Sequence, residues 1–167
     1  RAAFRQVRDE SGNLLVISTM QTIAASWLAP RIGKLQLEHP ELAVRLDINS
    51  RMVDFSVEPV DVAIRSGKGD WPGLRAHRLL EQDFTPAPSP AYLEREGRPA
   101  TPRDMLRHVL IAPSDTWWPI WFRTAGVADV TRIPRPGIDV ETQQMAGRVA
   151  LAGHGISLVT PGFVQDE

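Results

Sequence analysis

The 167-residue chain has no cysteine, which excludes disulfide staples, thiolate-bound zinc and thiol nucleophiles, and which suits a cytoplasmic protein. No apolar run approaches the roughly 18 residues that a membrane-spanning helix needs. The N-terminal stretch RAAFRQVRDESGN is polar and charged and holds no signal-peptide core. Neither asparagine opens a glycosylation sequon, since Asn13 precedes Leu-Leu and Asn49 precedes Ser-Arg. Charge of one sign is also missing: 19 basic and 20 acidic side chains leave a formal net charge of −1. Duplex binding draws most of its affinity from phosphate neutralisation, so this chain is not expected to grip DNA by itself. The motifs of enzyme chemistry are absent too. There is no HExxH, no GxSxG, no GxxxxGK[ST] and no GxGxxG, and His39, His77, His108 and His154 are scattered. Asp54 and Asp61 stand on either side of a turn, with nothing to bring them together as an acid–base pair. No catalytic residue, metal or cofactor is therefore expected.

What is present is 43% hydrophobic residues, enough for one ordinary domain or two small lobes. Leu14 to Ile17 is an apolar run of strand length, followed at once by Ser18 and Thr19. A helix from about Met20 to His39 carries Ile23, Trp27, Ile32 and Leu35 on one face, and Pro30 should kink or divide it. Pro40 ends that helix, and Ala43 to Ile48 alternates as a second strand. Met52 to Val57 reads as a short helix. Val60 to Ile64 is a third strand that runs out into the polar, glycine-loosened loop Arg65-Ser66-Gly67-Lys68-Gly69-Asp70. Strand, helix, strand, helix, strand implies parallel strands with right-handed crossovers. In open α/β sheets, ligands sit just past the carboxyl ends of such strands.

Phe84 to Pro90 then carries three prolines, which cannot donate to a ladder, so the segment is not an ordinary central strand and reads as a crossover into a second lobe. Beyond it the pattern predicts short helices at Ala91 to Glu96 and Thr101 to Leu106 and a strand at Val109 to Ala112. Next come a helix bearing Trp118, Trp121 and Phe122 and a strand near Ile133 to Val140. A helix from Thr142 to Ala152, the turn Gly153-His154-Gly155 and a last strand, Ile156 to Val159, complete the order. Arg1 to Glu10 reads as the end of a helix stopped by Ser11-Gly12-Asn13.

The segment VDFSVEPVDVAIRSGKGDWPGL, Val53 to Leu74, closely resembles the effector-binding domain of LysR-type transcriptional regulators, in the branch of the glycine-cleavage activator and β-lactamase regulators. The likeness covers nearly the whole chain. Its marks are Trp27-Leu28, Pro30-Arg31, His39-Pro40, Glu58, Asp61 to Arg65, Gly69 to Leu74, FTPAPSPAYL and ALAGHGISLVTPGFVQDE. It implies an α/β, two-lobed fold like that of type 2 periplasmic binding proteins, with a small effector in the interlobe cleft. It implies residues 1–13 as the end of a linker helix from a DNA-binding domain outside this chain, 14–83 as lobe one, and 84–167 as crossover and lobe two. A C-terminal return to lobe one, found in relatives, is missing here. The resemblance also implies a homodimer or tetramer through the 23–48 helix and strand face, with Leu35 and Leu37 serving the interface. Pro59 departs from the glycine usual in relatives, so the turn before the third strand must differ; Pro88 should stiffen the crossover.

The candidate ligand-binding residues are Ser18, Thr19, Arg65, Ser66, Thr116, Trp117, Glu141, Thr142 and Gln143. Ser18 and Thr19 join a strand to a helix start, where they can cap the helix or bind an anion favoured by its dipole. The family's effector contact at the Thr19 position weighs the ligand reading up to the capping one. Arg65 can fork onto a carboxylate or phosphate, or pin its loop by pairing with Asp61 or Asp70, and the second use is slightly favoured. Thr142 aligns with a serine that contacts ligand in similar regulators, and capping explains it nearly as well. Gly67-Lys68-Gly69 is a turn, Lys68 is solvated, and Trp71 anchors that turn. The leading function is the effector-sensing domain of a regulator. A stand-alone solute receptor of a transport system shares the fold, and an enzyme on the same scaffold is the third reading.

Overall fold

In the computed structural model, which describes residues 13–128, 130, 132–135 and 137–163, the chain divides into two compact units between Leu80 and Glu81. They are called lobe one and lobe two below. The helix expected over Arg1 to Glu10 lies outside the described residues.

Lobe one is built on a parallel sheet of order β2-β1-β3. The apolar run forms β1 (Leu14–Thr19), two residues longer than its sequence predicts, and lies in the middle of the sheet. A strand flanked on both edges is covered on both faces in α/β folds, which is why it is apolar without alternation. Val16 has no exposed surface. Strand β2 (Ala43–Ile48) pairs with it from Leu14 opposite Ala43 to Thr19 opposite Ile48. Strand β3 is shorter than expected, Val62–Ile64, because Asp61 takes over the ladder ahead of it. Its carboxylate accepts from Val16 N at 2.8 Å, while its own N–H donates to Val16 O at 3.0 Å.

Between β1 and β2 the helix runs on without a break, and its winding changes just ahead of Pro30. One helical run, 21–38, comprises α1 (Gln21–Ile23), a π-helical segment Ala24–Leu28, and α2 (Ala29–Glu38). Pro30 has no N–H and its ring crowds the carbonyl one turn back. Widening the preceding turn relieves both: Ala29 N donates to Ala24 O, five residues back. The short helix expected at Met52 to Val57 is a single turn. Asp54 Oδ1 accepts from both N and Oγ of Ser56, an arrangement that competes with helix formation. Pro59 finds a turn that suits it. Val60 N donates to Glu58 O at 2.8 Å, a three-residue turn whose central residue needs the negative φ that the proline ring imposes.

Lobe two holds a two-stranded antiparallel sheet, β4 (Thr85–Pro88) with β5 (Ile156–Val159). The crossover segment thus contains a strand, and it is an edge strand. Pro86 and Pro88 are two apart, so their missing donors lie on one side of it. Helix α3 (Pro90–Glu96) starts on Ser89, whose Oγ accepts from Tyr92 N. Thr101 and Asp104 make a reciprocal capping box, and the turn that follows is a 3₁₀ helix, Pro102–Arg107. Helix α4 (Trp117–Thr124) buries Trp118 and Phe122 completely, as their spacing predicts. They join Tyr92, Met105, Leu110, Ile156 and Leu158 in the main core cluster. Helix α5 (Gln143–Leu151) packs Ala146 and Ala150 against Ile111 and Ala112.

Two expected strands are not strands among the described residues. Val109 to Ala112 makes one parallel bridge, Leu110 to Ile156, and the described residues of 133–140 form no ladder, with a bend at Pro134 and Arg135. Gly137 explains the second case, since a Cβ there would lie 2.0 Å from the Leu110 carbonyl oxygen. The two segments come too close for an ordinary strand pair and are tied by Ala112 N to Ile138 O at 2.8 Å.

Candidate functional site

Parallel strands bring their carboxyl ends to one edge of the sheet, and in lobe one that edge gathers Ser18, Thr19, Asn49, Arg51 and Arg65. Ser18 is fully buried, and its Oγ accepts from Arg65 Nη2 at 2.8 Å and from Asn49 Nδ2 at 3.2 Å. Neither Ser18 nor Thr19 caps the helix. The cap position is Met20, and no side chain caps there. Thr19 is the last residue of β1 and fully buried. Its carbonyl accepts from Asn49 N at 3.0 Å, but its Oγ1 has no partner among the described residues. An unpaired buried hydroxyl in a native fold calls for a ligand or water.

Arg65 pins its surroundings through hydrogen bonds to groups other than the aspartates expected, Asp61 or Asp70. It donates to Ser18 Oγ, Asn49 Oδ1, Ile64 O and Arg51 O, all neutral oxygens. Burial, and then the like charge of Arg51, pull its guanidinium below its ordinary value, against Asp47 and Glu58. Arg51 is in turn gripped by both carboxylate oxygens of Glu58, which also accepts from Asp54 N at 2.9 Å. These bonds hold the Glu58 carboxyl down at about 2, the Arg51 side chain contributing most. Ser66 and Lys68 follow on the exposed side of the rim, and the Trp71 ring lies against Gly67, anchoring the turn.

Lobe two offers a second polar rim. Thr142 is the N-cap of α5, its Oγ1 accepting from Met145 N at 3.3 Å, and Gln143 Oε1 accepts from Thr160 N at 3.2 Å. Glu141, Thr142 and Gln143 line a concavity with Ile111, Ala112 and Asp115. Its enclosed volume is only about 20 Å³, room for about one water, whereas small-molecule pockets run to roughly 300–1,000 Å³, so this rim alone is far undersized. Ala112 adopts a φ of 51°, a left-handed backbone that a non-glycine residue takes at some strain, often beside a site. Thr116 and Trp117 are not part of that lining. Thr116 is exposed without a capping bond, and Trp117 stacks on Phe84 with ring centroids 4.2 Å apart. Asn49, Arg51 and Glu58 escaped the sequence reading as site residues. Asn49 had a usable signal, as the first polar residue past the end of a parallel strand.

No group of metal-ligating side chains, and no helix long and apolar enough to cross a membrane, occurs among the described residues. The family model described as the LysR substrate binding domain matches residues 8–167. The chain is 30% identical over 163 residues to the glycine cleavage system transcriptional activator of Escherichia coli K12, covering 97% of this chain and 52% of that protein. It is 32% identical over 156 residues to the HTH-type transcriptional activator AmpR of Pseudomonas aeruginosa, covering 90% and 51%. It thus spans about half the length of these curated relatives. Among solved structures, the effector domain of Pseudomonas aeruginosa AmpR superimposes with a TM-score of 0.73 at 29% identity, covering 92% of this chain and 73% of that one.

Proposed function

This chain belongs to the LysR substrate-binding domain family, and from that premise we propose that it senses a small-molecule effector through the strand-end rim of lobe one and the Thr142 rim of lobe two. Its α/β fold is that of LysR effector domains, the type 2 periplasmic-binding-protein-like fold. The matched relatives are transcriptional regulators, which sets aside the transport receptor and gives an enzyme no support. The observation that carries the effector reading is the Thr19 hydroxyl, fully buried and without a partner at the carboxyl end of the central parallel strand. In the whole protein, DNA binding belongs to an N-terminal domain outside this chain, working in the cytoplasm, and effector binding favours one subunit arrangement. It does so only by its differential affinity, tenfold for each 1.4 kcal/mol or so.

Subunits associate, in this reading, as a dimer or tetramer through the 23–48 face. Helix α2 has no buried residue, Leu37 is 85% exposed, and β2 is an outer strand of its sheet. Leu37→Glu should shift the chain to monomer in light scattering. The effector site is tested by a thermal-shift screen of metabolites followed by titration of Thr19→Val and Thr142→Val. Both variants should weaken a confirmed ligand, and unchanged affinity in both would refute the assignment.

A further inference from the structure

Lobe two buries a polar pair that the effector reading does not use. Tyr92, in α3, is 1% exposed within the main core, and His108, which closes the 3₁₀ turn Pro102–Arg107, is 7% exposed. The Tyr92 hydroxyl oxygen accepts from Val109 N at 2.9 Å and lies 3.3 Å from His108 Nδ1. A phenol has one proton to give, and each ring nitrogen of a neutral imidazole is either a donor or an acceptor. With Nδ1 as the acceptor, the phenol proton goes to the ring and the Val109 N–H goes to the phenol oxygen, so every group is paired. With Nδ1 protonated, the phenol oxygen meets two donors and its own proton points away from both. The geometry selects the neutral imidazole that carries its proton on Nε2.

The relay fastens the start of a segment that ties lobe two together. Val109 O accepts from Ile156 N and Ile111 N donates to Ile156 O, both at 2.9 Å, and Ala112 N donates to Ile138 O at 2.8 Å. Ile111 and Ala112 then line the concavity that holds Thr142. We propose that Tyr92 and His108 form a proton-operated latch in lobe two: neutral His108 fastens the head of the Val109 to Ala112 segment, and proton uptake at Nδ1 unfastens it. Histidine is the side chain whose charge ordinarily changes between pH 5 and 8. The charged groups around the pair do not welcome an imidazolium. The Arg95 guanidinium lies 5.4 Å from the Tyr92 ring centroid. Glu96 is engaged by Arg95 and Arg135, and Asp104 by Thr101 and Arg107. Arg123 of α4 is exposed, and so is His154 in the glycine turn against Val109. A proton taken up on opening is bound more readily as pH falls, so the latch is closed at high pH and opens at low pH. It is a property of lobe two and stands whatever the effector.

The nitrogen NMR signals of the His108 ring and the protection factor of the Val109 amide (its exchange relative to an unprotected amide at the same pH) are the readouts. At about pH 8 the ring should carry a proton on Nε2 and none on Nδ1. Between about pH 8 and pH 5, protection at Val109 should fall about tenfold or more, as expected when a buried polar group loses its partner. His108→Asn sets an amide oxygen where Nδ1 stands, an acceptor that takes no proton in this range, and should hold protection flat near the parent's high-pH level. His154→Gln should follow the parent. Tyr92→Phe should leave Val109 poorly protected at every pH; if that variant fails to fold, the ring signals of the parent and the asparagine variant still decide. A ring protonated on Nδ1 at the high-pH end, or flat protection in the parent, overturns the latch. So does a His108→Asn chain that keeps the parent's pH dependence, or a His154→Gln chain that loses it.

Discussion

Ser18 and Thr19 are adjacent, equally buried hydroxyls, and replacing them should move stability in opposite directions. Thr19→Val keeps the shape and removes a hydroxyl that has no partner in the free chain. A buried polar group left unsatisfied costs about 1–3 kcal/mol, so the variant should be more stable than the parent by about 1 kcal/mol or more. Ser18→Ala removes the acceptor for Asn49 Nδ2 and for the charged Arg65 Nη2. Hydrogen bonds to charged groups are worth about 1.5–3 kcal/mol, so this variant should lose about 2 kcal/mol. The two neighbours should therefore differ by about 3 kcal/mol, roughly a hundredfold in the opening equilibrium. Native-state hydrogen exchange of the β1 amides reads that difference within lobe one and needs no two-state assumption for the whole chain. A Thr19→Val chain destabilised by 1 kcal/mol or more would show that the hydroxyl is already bonded, and would remove the main argument for an effector contact there. Higher stability with lower ligand affinity is the signature of a residue kept for function.

Thr142→Val should cost lobe two about 1 kcal/mol through loss of the cap to Met145 N, while Thr142→Ser retains it; exchange at the first turn of α5 separates them. Trp118→Ala should cost about 3–5 kcal/mol in urea denaturation, because it empties a fully buried site and orphans the Ile111 carbonyl that accepts from Nε1 at 3.0 Å. Gly137→Ala should destabilise lobe two by about 1–3 kcal/mol, since the new methyl meets the Leu110 carbonyl oxygen, and the same denaturation curve reads it. Glu58 is held at about 2, first by Arg51 and then by Asp54 N, so its contribution is complete above the ordinary 4.5 and is lost as pH falls through about 2. Glu58→Gln should remove that acid sensitivity, seen as a protection factor at the Asp54 amide (its exchange relative to an unprotected amide at the same pH) that stays flat across the window.

The elements legible in the sequence are those whose signal is local. The apolar run of β1, the alternation of β2, the threonine ahead of α5 and the glycine turn before β5 each specify their own element. The misreadings have distant causes. Val109 to Ala112 has strand composition, yet its neighbour across Gly137 comes too close to form a regular ladder. Met52 to Val57 has apolar residues in plenty, and one aspartate side chain turns the backbone away from a helix. Pro30, Pro59, Pro86 and Pro88 were all visible as breaks in hydrogen bonding. Each is resolved by a geometry that accepts a missing donor: a widened helical turn, a three-residue turn and an edge strand.

The lobe-one rim shows why a site is harder to read than a strand. Arg65 is bonded to residues 47 and 16 positions away in sequence, and neither separation is a motif. Parallel topology creates these neighbours by delivering every carboxyl end to one edge, whatever the loops between them contain. Residue type alone suggested that Arg65 would bind a charge; topology supplied enough neutral oxygens to employ it as a brace. The same delivery gave Ser18 two donors and Thr19 none. Ser157 Oγ and Thr160 Oγ1 also lack a partner among the described residues, so what singles out Thr19 is its place at the carboxyl end of the central parallel strand, where such folds bind ligands.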